Sequence, residues 1–280
     1  MFIDCHTHLN LKGYTIDDII TYMDSSGIDK CWLLTQELAN PHPYASCVEE
    51  VFDAYEKYPT RVVPMYAPGP NYCDPADRFR KWYEKGICGC GELKLVGNWE
   101  SAKLDQLLSC VSQLKVPVIF HMNESSTYYV PLALEMGNNM GQPFPSYMLD
   151  FTSLERWLEE YPETSFVGHG PLFWKGISSD PELGMGNAIY PKNPALGEGI
   201  TCRLLSQYQN LYADISGFSG YNALTRNPKF TRYFISKYAS KILFGTDNQP
   251  LGLREFLDSL ELPANTYRLI YGENAAALIN

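Results

Sequence analysis

Eight short runs of apolar, β-branched-rich sequence recur along the chain: Phe2 to Cys5, Lys30 to Thr35, Arg61 to Tyr66, Ile87 to Leu95, Val116 to Phe120, Ser165 to Val167, Leu211 to Ile215 and Ile242 to Phe244. Continuous apolar runs of this length mark strands buried on both faces. Between them lie longer stretches with helical spacing: Thr15 to Ser25, Cys47 to Tyr58, Pro75 to Lys85, Ser101 to Leu114, Thr152 to Tyr161, Gly199 to Tyr208, Pro228 to Tyr238 and Leu251 to Leu260. Such alternation defines βα units. Eight of them in 280 residues fit a closed (β/α)8 TIM barrel better than an open doubly wound sheet, and no Gly-rich phosphate fingerprint argues for the open form. No linker, repeat or low-complexity tract divides the chain, so residues 1–280 read as a single domain.

Helix starts carry plausible caps: Asp74 before Pro75, Thr152 before the Leu154 to Leu158 face, and Ser101 ahead of Leu104 and Leu107. Two connections, Met122 to Asp150 and Gly170 to Leu196, exceed the usual βα loop of about 2–6 residues. They follow the fifth and sixth strands and therefore belong to the face where barrel enzymes place their sites.

Composition narrows the function classes. Hydrophobic residues make up 45% and charged residues 19%, which excludes a disordered chain. With 22 Lys and Arg against 32 Asp and Glu, the net charge of −10 disfavours nucleic acid and anionic lipid as partners. The absence of a leader-like segment and of any long apolar span predicts a cytoplasmic protein without membrane contact. Its eight cysteines lack C-x-x-C spacing and read as reduced, several of them as small core hydrophobes. No Gly-x-Ser-x-Gly elbow, P-loop or zincin helix is present.

The polar residues fall where the strands end. His6 and His8 close the first strand in "DCHTH", and residues two apart on a strand share a side. Glu92 and Lys94 share a side at the end of the fourth, in "GELKL"; His121 ends the fifth, His169 the sixth and Asp247 the eighth. Four of the five histidines thus land on one rim, while His42, between prolines in "NPHPY", reads as a loop residue. Neutral imidazole with carboxylate oxygen is the ligand set of zinc and also suits manganese or iron.

In "DCHTH", "GELKL", "FHMN", "GHG", "FGTD" and "YGENAAALI" the chain resembles, over nearly its whole length, the amidohydrolase superfamily of metal-dependent hydrolases. Within it, the chain resembles the branch that includes aminocarboxymuconate semialdehyde decarboxylase. The resemblance implies that His6, His8, His121 and Asp247 ligate a divalent metal. It implies further that His169 moves a proton, steadies the substrate or holds a second metal, and that Asp4 supports a neighbour. Glu92 and Lys94 are left between two duties, touching metal or facing substrate.

A dication so held lowers the pKa of its water from 15.7 to about 7, with Asp247 placed to take the water's proton and His169 to stabilise an oxyanion or protonate a leaving group. Hydrolysis of an amide, ester or lactone is the expected activity. Two alternatives stay open: decarboxylation of an unsaturated or aromatic carboxylic acid, and a catalytically silent ligand-binding barrel. A third variant, a metal-independent lactonase, keeps the same fold. Tyr128, Tyr129, Phe144, Tyr147, Phe173, Trp174 and Tyr190 are candidates for an aromatic wall around a small-molecule substrate. Lys94, Lys175, Lys192, Arg203 and Arg226 are candidates for binding an anionic group. Homodimerisation through barrel helices is compatible with the sequence.

Overall fold

The eight apolar runs become eight strands: β1 (Ile3–Thr7), β2 (Lys30–Leu34), β3 (Val62–Met65), β4 (Cys90–Lys94), β5 (Val118–His121), β6 (Phe166–His169), β7 (Leu211–Asp214) and β8 (Ile242–Leu243). The computed structural model describes residues 1–37, 45–69, 72–95, 101–123, 149–179 and 190–279. Neighbours in sequence pair in parallel from β1 to β3 and from β4 to β8. Backbone hydrogen bonds close both seams. Tyr66 N donates to Gly89 O and Cys88 N to Pro64 O, each at 2.9 Å, while Cys5 N donates to Phe244 O at 2.9 Å and Asp247 N to His6 O at 2.8 Å. The sheet is therefore a closed (β/α)8 barrel.

Helices follow the strands in turn: α1 (Ile16–Ser26), α2 (Val48–Lys57), α3 (Pro75–Tyr83), α4 (Ser101–Gln113), α5 (Phe151–Glu160), α6 (Pro171–Lys175), α7 (Ile200–Gln207), α8 (Gly217–Thr225), α9 (Pro228–Lys237) and α10 (Leu253–Ser259). Two last helices, α11 (Ala264–Arg268) and α12 (Asn274–Leu278), are joined through one π turn. Local chemistry sets their starts. Thr15 and Asp18 form a reciprocal capping box on α1, and Asp74 accepts from Asp77 N at 2.8 Å ahead of Pro75 on α3. On α5 the cap is Asp150, accepting from Ser153 N at 2.7 Å, and not Thr152. Asp150 is the residue left in extended backbone, while Thr152 is already inside the first turn.

Side chains alternate between two apolar layers. Val118, Phe120, Phe166, Leu211 and Ala213 face the helices, with Trp157 and Leu154 of α5 among their partners. Trp32, Leu34, Met65, Ile119, Val167 and Leu243 come together inside the barrel. Register shifts in β1, between Asp4 and Thr7, and in β4, between Cys90 and Leu93, interrupt the simple alternation just below the barrel mouth. A β-carbon on Gly91 would press on Ile119 and Leu34 at 3.1–3.2 Å, so glycine keeps the lumen open under Glu92. All eight cysteines are free thiols. Among the described residues no helix is long and apolar enough to cross a membrane.

Candidate metal centre

Strand ends bring the candidates together at the mouth of the barrel. His6 and His8, on β1 and just beyond it, are wholly buried, and their Nε2 atoms lie 3.0 Å apart. The other nitrogen of each ring is already engaged. His6 Nδ1 meets Asp214 Oδ2 at 2.6 Å and His8 Nδ1 meets the Leu34 carbonyl at 3.0 Å. Since a carbonyl and a carboxylate both require a donor, Nδ1 carries the proton in each ring. Two Nε2 lone pairs are left facing one another, an arrangement that requires a proton or a cation between them. Asp247 completes the triangle, with Oδ1 at 3.8 Å from His6 Nε2 and 3.7 Å from His8 Nε2. The three edges bracket the ~3.4 Å expected for a tetrahedral ligand set with bonds of about 2.1 Å.

The loop carrying Asp247 is fastened to β1. Asn248 accepts from His8 N at 2.8 Å and donates to His8 O at 3.0 Å. Thr246 donates to Asp4 through its hydroxyl at 2.6 Å and its backbone at 2.9 Å. Asp4 thus braces the loop from below. Burial pushes its carboxyl up to about 7, against the pull of those hydrogen bonds.

Glu92 stands between the His6 and His8 pair on one side and Lys94 and His121 on the other. Its Oε2 is 3.3 Å from His8 Nε2, 3.7 Å from His6 Nε2 and 2.8 Å from Lys94 Nζ, yet completes no regular hydrogen bond. Its Oε1 meets His121 Nδ1 at 2.7 Å. Burial opposes ionisation of Glu92, but Lys94, His121 and His6 outweigh it and hold the carboxyl well below its ordinary range. Burial carries His8 and His121 downward, helped by the positive charge of Lys94 near both, of His6 near His8 and of His169 near His121, and outweighs the upward pull of Glu92, favouring neutral rings. Burial also acts downward on His6, but Asp214 and Glu92 overcome it and raise His6 well above an ordinary imidazole.

Among the described residues three ligand-like groups result: His6, His8 and Asp247; Glu92, His121 and His169; and His6, His169 and Asp214. His121 therefore stands with Glu92 and His169 rather than in the first triangle, and its Nε2 contacts the Asn123 side chain. The residues fit a divalent cation: a buried carboxylate oxygen without a regular hydrogen bond, two opposed imidazole nitrogens and a part-exposed carboxylate share one mouth.

Two residues central to this arrangement, Asp214 and Ser216, are absent from the sequence-derived candidates. The signal that marks them is the one that marks the histidines, a polar residue ending an apolar run, in "LYADIS". Of the expected aromatic wall, Phe173 and Trp174 are instead fully buried in the layer under the helices, where Trp174 Nε1 donates to Asp214 O at 2.9 Å. Tyr190 stands edge-on to Phe218 at 4.7 Å, and burial first, then the charge of Asp247, raises its hydroxyl. Arg203 pairs with Glu155 on the outer surface, at 2.8 Å, and takes no part in the site. His42, Tyr128, Tyr129, Phe144 and Tyr147 lie outside the described residues.

No protein-family model matches the sequence, and no curated protein matches it either. Solved structures do. A TIM-barrel protein from Bordetella bronchiseptica superposes with a TM-score of 0.64 at 14% identity, covering 99% of this chain and 97% of that one. A probable 2-pyrone-4,6-dicarboxylic acid hydrolase from Acinetobacter baumannii, with citric acid bound, gives 0.60 at 16% identity over 99% and 98%. The 5-carboxyvanillate decarboxylase of Novosphingobium aromaticivorans, in complex with manganese and a nitrobenzoic acid ligand, gives 0.57 at 17% identity over 93% and 78%. At such identities the likeness is one of fold, and it is the closed (β/α)8 barrel described above.

Proposed function

We propose that the protein is a metal-dependent hydrolase of the amidohydrolase superfamily, acting on the carbonyl group of a small amide, ester or lactone. The observation that carries this reading is the opposition of His6 and His8 at 3.0 Å, both Nδ1 atoms engaged, with Asp247 closing the triangle. His6, His8 and Asp247 would hold the ion, with Glu92 and His121 as its further candidate ligands. Nitrogen and oxygen donors of this kind suit zinc first, and manganese or iron next. Bound there, the cation supplies Lewis acidity and an acidified water.

The chain's own groups supply the rest. Asp247 is one-fifth exposed and faces the mouth, so its carboxylate can take a proton from the attacking water. His169 stands beside His6, ring centroids 4.4 Å apart, where its free Nε2 can receive the proton that Asp247 has taken and pass it to the leaving group. Lys94, whose ammonium lies 2.8 Å from Glu92, offsets negative charge that builds on the substrate. Tyr190 and Phe218 offer an aromatic edge for a planar substrate.

Decarboxylation of an aromatic or unsaturated acid is the second reading, favoured by the manganese-bound decarboxylase that shares this fold. The two separate by product. Purified protein reconstituted with zinc or manganese is assayed against lactones, esters and amides, and in parallel for carbon dioxide release from aromatic acids. Metal-dependent hydrolysis upholds the first reading, and carbon dioxide release without hydrolysis replaces it by the second. Bound metal without turnover on either panel leaves a ligand-binding barrel. Elemental analysis of the same protein gives the stoichiometry. About one equivalent corresponds to the first triangle alone, and about two would call on Glu92 or a carboxylated Lys94 as well.

A further inference from the structure

One carboxylate oxygen serves two histidines of different duty. Asp214 ends β7, fully buried. Its Oδ2 lies 2.6 Å from His6 Nδ1 and 3.2 Å from His169 Nδ1, and it accepts from the Ser216 hydroxyl at 2.9 Å. Its Oδ1 accepts from the Ser216 backbone N–H at 2.8 Å. The Ser216 hydroxyl also lies 3.1 Å from His169 Nδ1. A hydroxyl has one proton, and here the carboxylate takes it. What Ser216 turns toward His169 is a lone pair, so both of the groups that face His169 Nδ1 are acceptors. His169 Nδ1 must therefore carry a proton, and Nε2 is the atom left for chemistry.

The cluster is closely packed. A β-carbon on Gly245 would meet Ser216 Cβ at 2.9 Å, Asp214 Oδ1 at 3.0 Å and His6 Cβ at 3.1 Å, so only glycine fits behind it. The Asp214 carbonyl is held from the other side by Trp174.

We propose that Asp214 and Ser216 are positioning residues that fix His6 and His169 together. Both rings are locked with Nδ1–H toward the one carboxylate, so that His6 Nε2 is offered to the cation and His169 Nε2 to the travelling proton. Ser216 touches His169 directly and reaches His6 only through the shared Asp214 oxygen, whereas Asp214 touches both rings. The duties given to the two Nε2 atoms rest on the metal-dependent hydrolase reading; the orientation of the Nδ1 protons does not.

The test is nuclear magnetic resonance of protein carrying ¹⁵N in its histidine rings, tractable because the chain has only five histidines. Two-bond ¹H–¹⁵N correlations are recorded in mildly alkaline buffer, metal-free and zinc-loaded, with zinc affinity measured alongside. In the native protein His6 and His169 are both expected to show protonated, slowly exchanging Nδ1, with His169 Nε2 unprotonated. Ser216→Ala should alter the His169 pattern more than that of His6, which keeps its own bond to Asp214, and leave zinc affinity within a few-fold. Asp214→Asn should alter both patterns and weaken zinc binding roughly 10- to 100-fold.

A native His169 protonated at Nε2, or an Asp214→Asn protein with both patterns and the zinc affinity unchanged, overturns the proposal. Should Asp214→Asn fail to fold, the native spectrum and Ser216→Ala still decide it. The native spectrum as expected but without zinc binding would remove the hydrolase reading and leave the clamp standing. Zinc-dependent hydrolysis with the wrong tautomer would do the reverse.

Discussion

At the scale of residues, the site is built from rings whose outer nitrogen is spoken for. His8 is the cleanest case, because its Nδ1 is held by a backbone carbonyl that no side-chain change removes. We expect His8→Ala to lose most bound metal and all hydrolysis while its circular dichroism stays near native; an active, metal-replete variant would contradict the assignment. Gly217 makes a second case. Its φ of +65° suits glycine, and a β-carbon there would stand 2.8 Å from Asp247 Oδ2. Gly217→Ala should therefore weaken metal binding by shifting Asp247, read as a raised dissociation constant together with a modest fall in Tm. The meeting of the histidines and Asp247 at one mouth was legible in the sequence because imidazole and carboxylate at the end of apolar strands have few other reasons to recur. Asp214 was not, because a lone aspartate before a Ser-Gly turn looks like an ordinary turn former, and its duty is visible only once β1 and β6 are seen beside it.

Among elements, all eight strands and all eight helices expected from the alternation are present, because a parallel strand covered on both faces writes itself as an unbroken apolar run. Boundaries were less legible. β1 extends through His6 to Thr7, past the point where apolarity stops, because at the mouth of a barrel inward positions trade core for chemistry. α8 is absent from the sequence-derived helices because "GFSGYNALT" carries two glycines and reads as a turn. It forms nonetheless, buried through Ala223 and Leu224 against the outer core. Local signals do carry energy where they are complete. Removing the α1 capping box by Thr15→Ala should cost about 1 kcal/mol, measured as a lower denaturant midpoint with an unchanged slope.

For the molecule as a whole, ligand linkage gives the most direct prediction. A cation held only by the folded state stabilises it by about 2.7 kcal/mol at a free concentration of 100 times its dissociation constant. Zinc should therefore raise Tm, a chelator should lower it again, and the far-ultraviolet spectrum should hardly change, since the strands are paired without help from the ion. A Tm indifferent to zinc and chelator alike would argue against any ion at this mouth.

The hydrogen bond from Asp247 to His6 joins positions 241 residues apart in the chain, at the seam where the last strand meets the first. The proposed ligand triangle therefore belongs to no segment. A ribosome that has delivered the first seven strands has delivered two of the three groups and no place for an ion between them. Contacts of such sequence separation form late and at the cost of long loop closures. The uptake of metal during refolding should accordingly lag the recovery of helical signal, and would serve as a clock for the moment at which the ring of strands shuts.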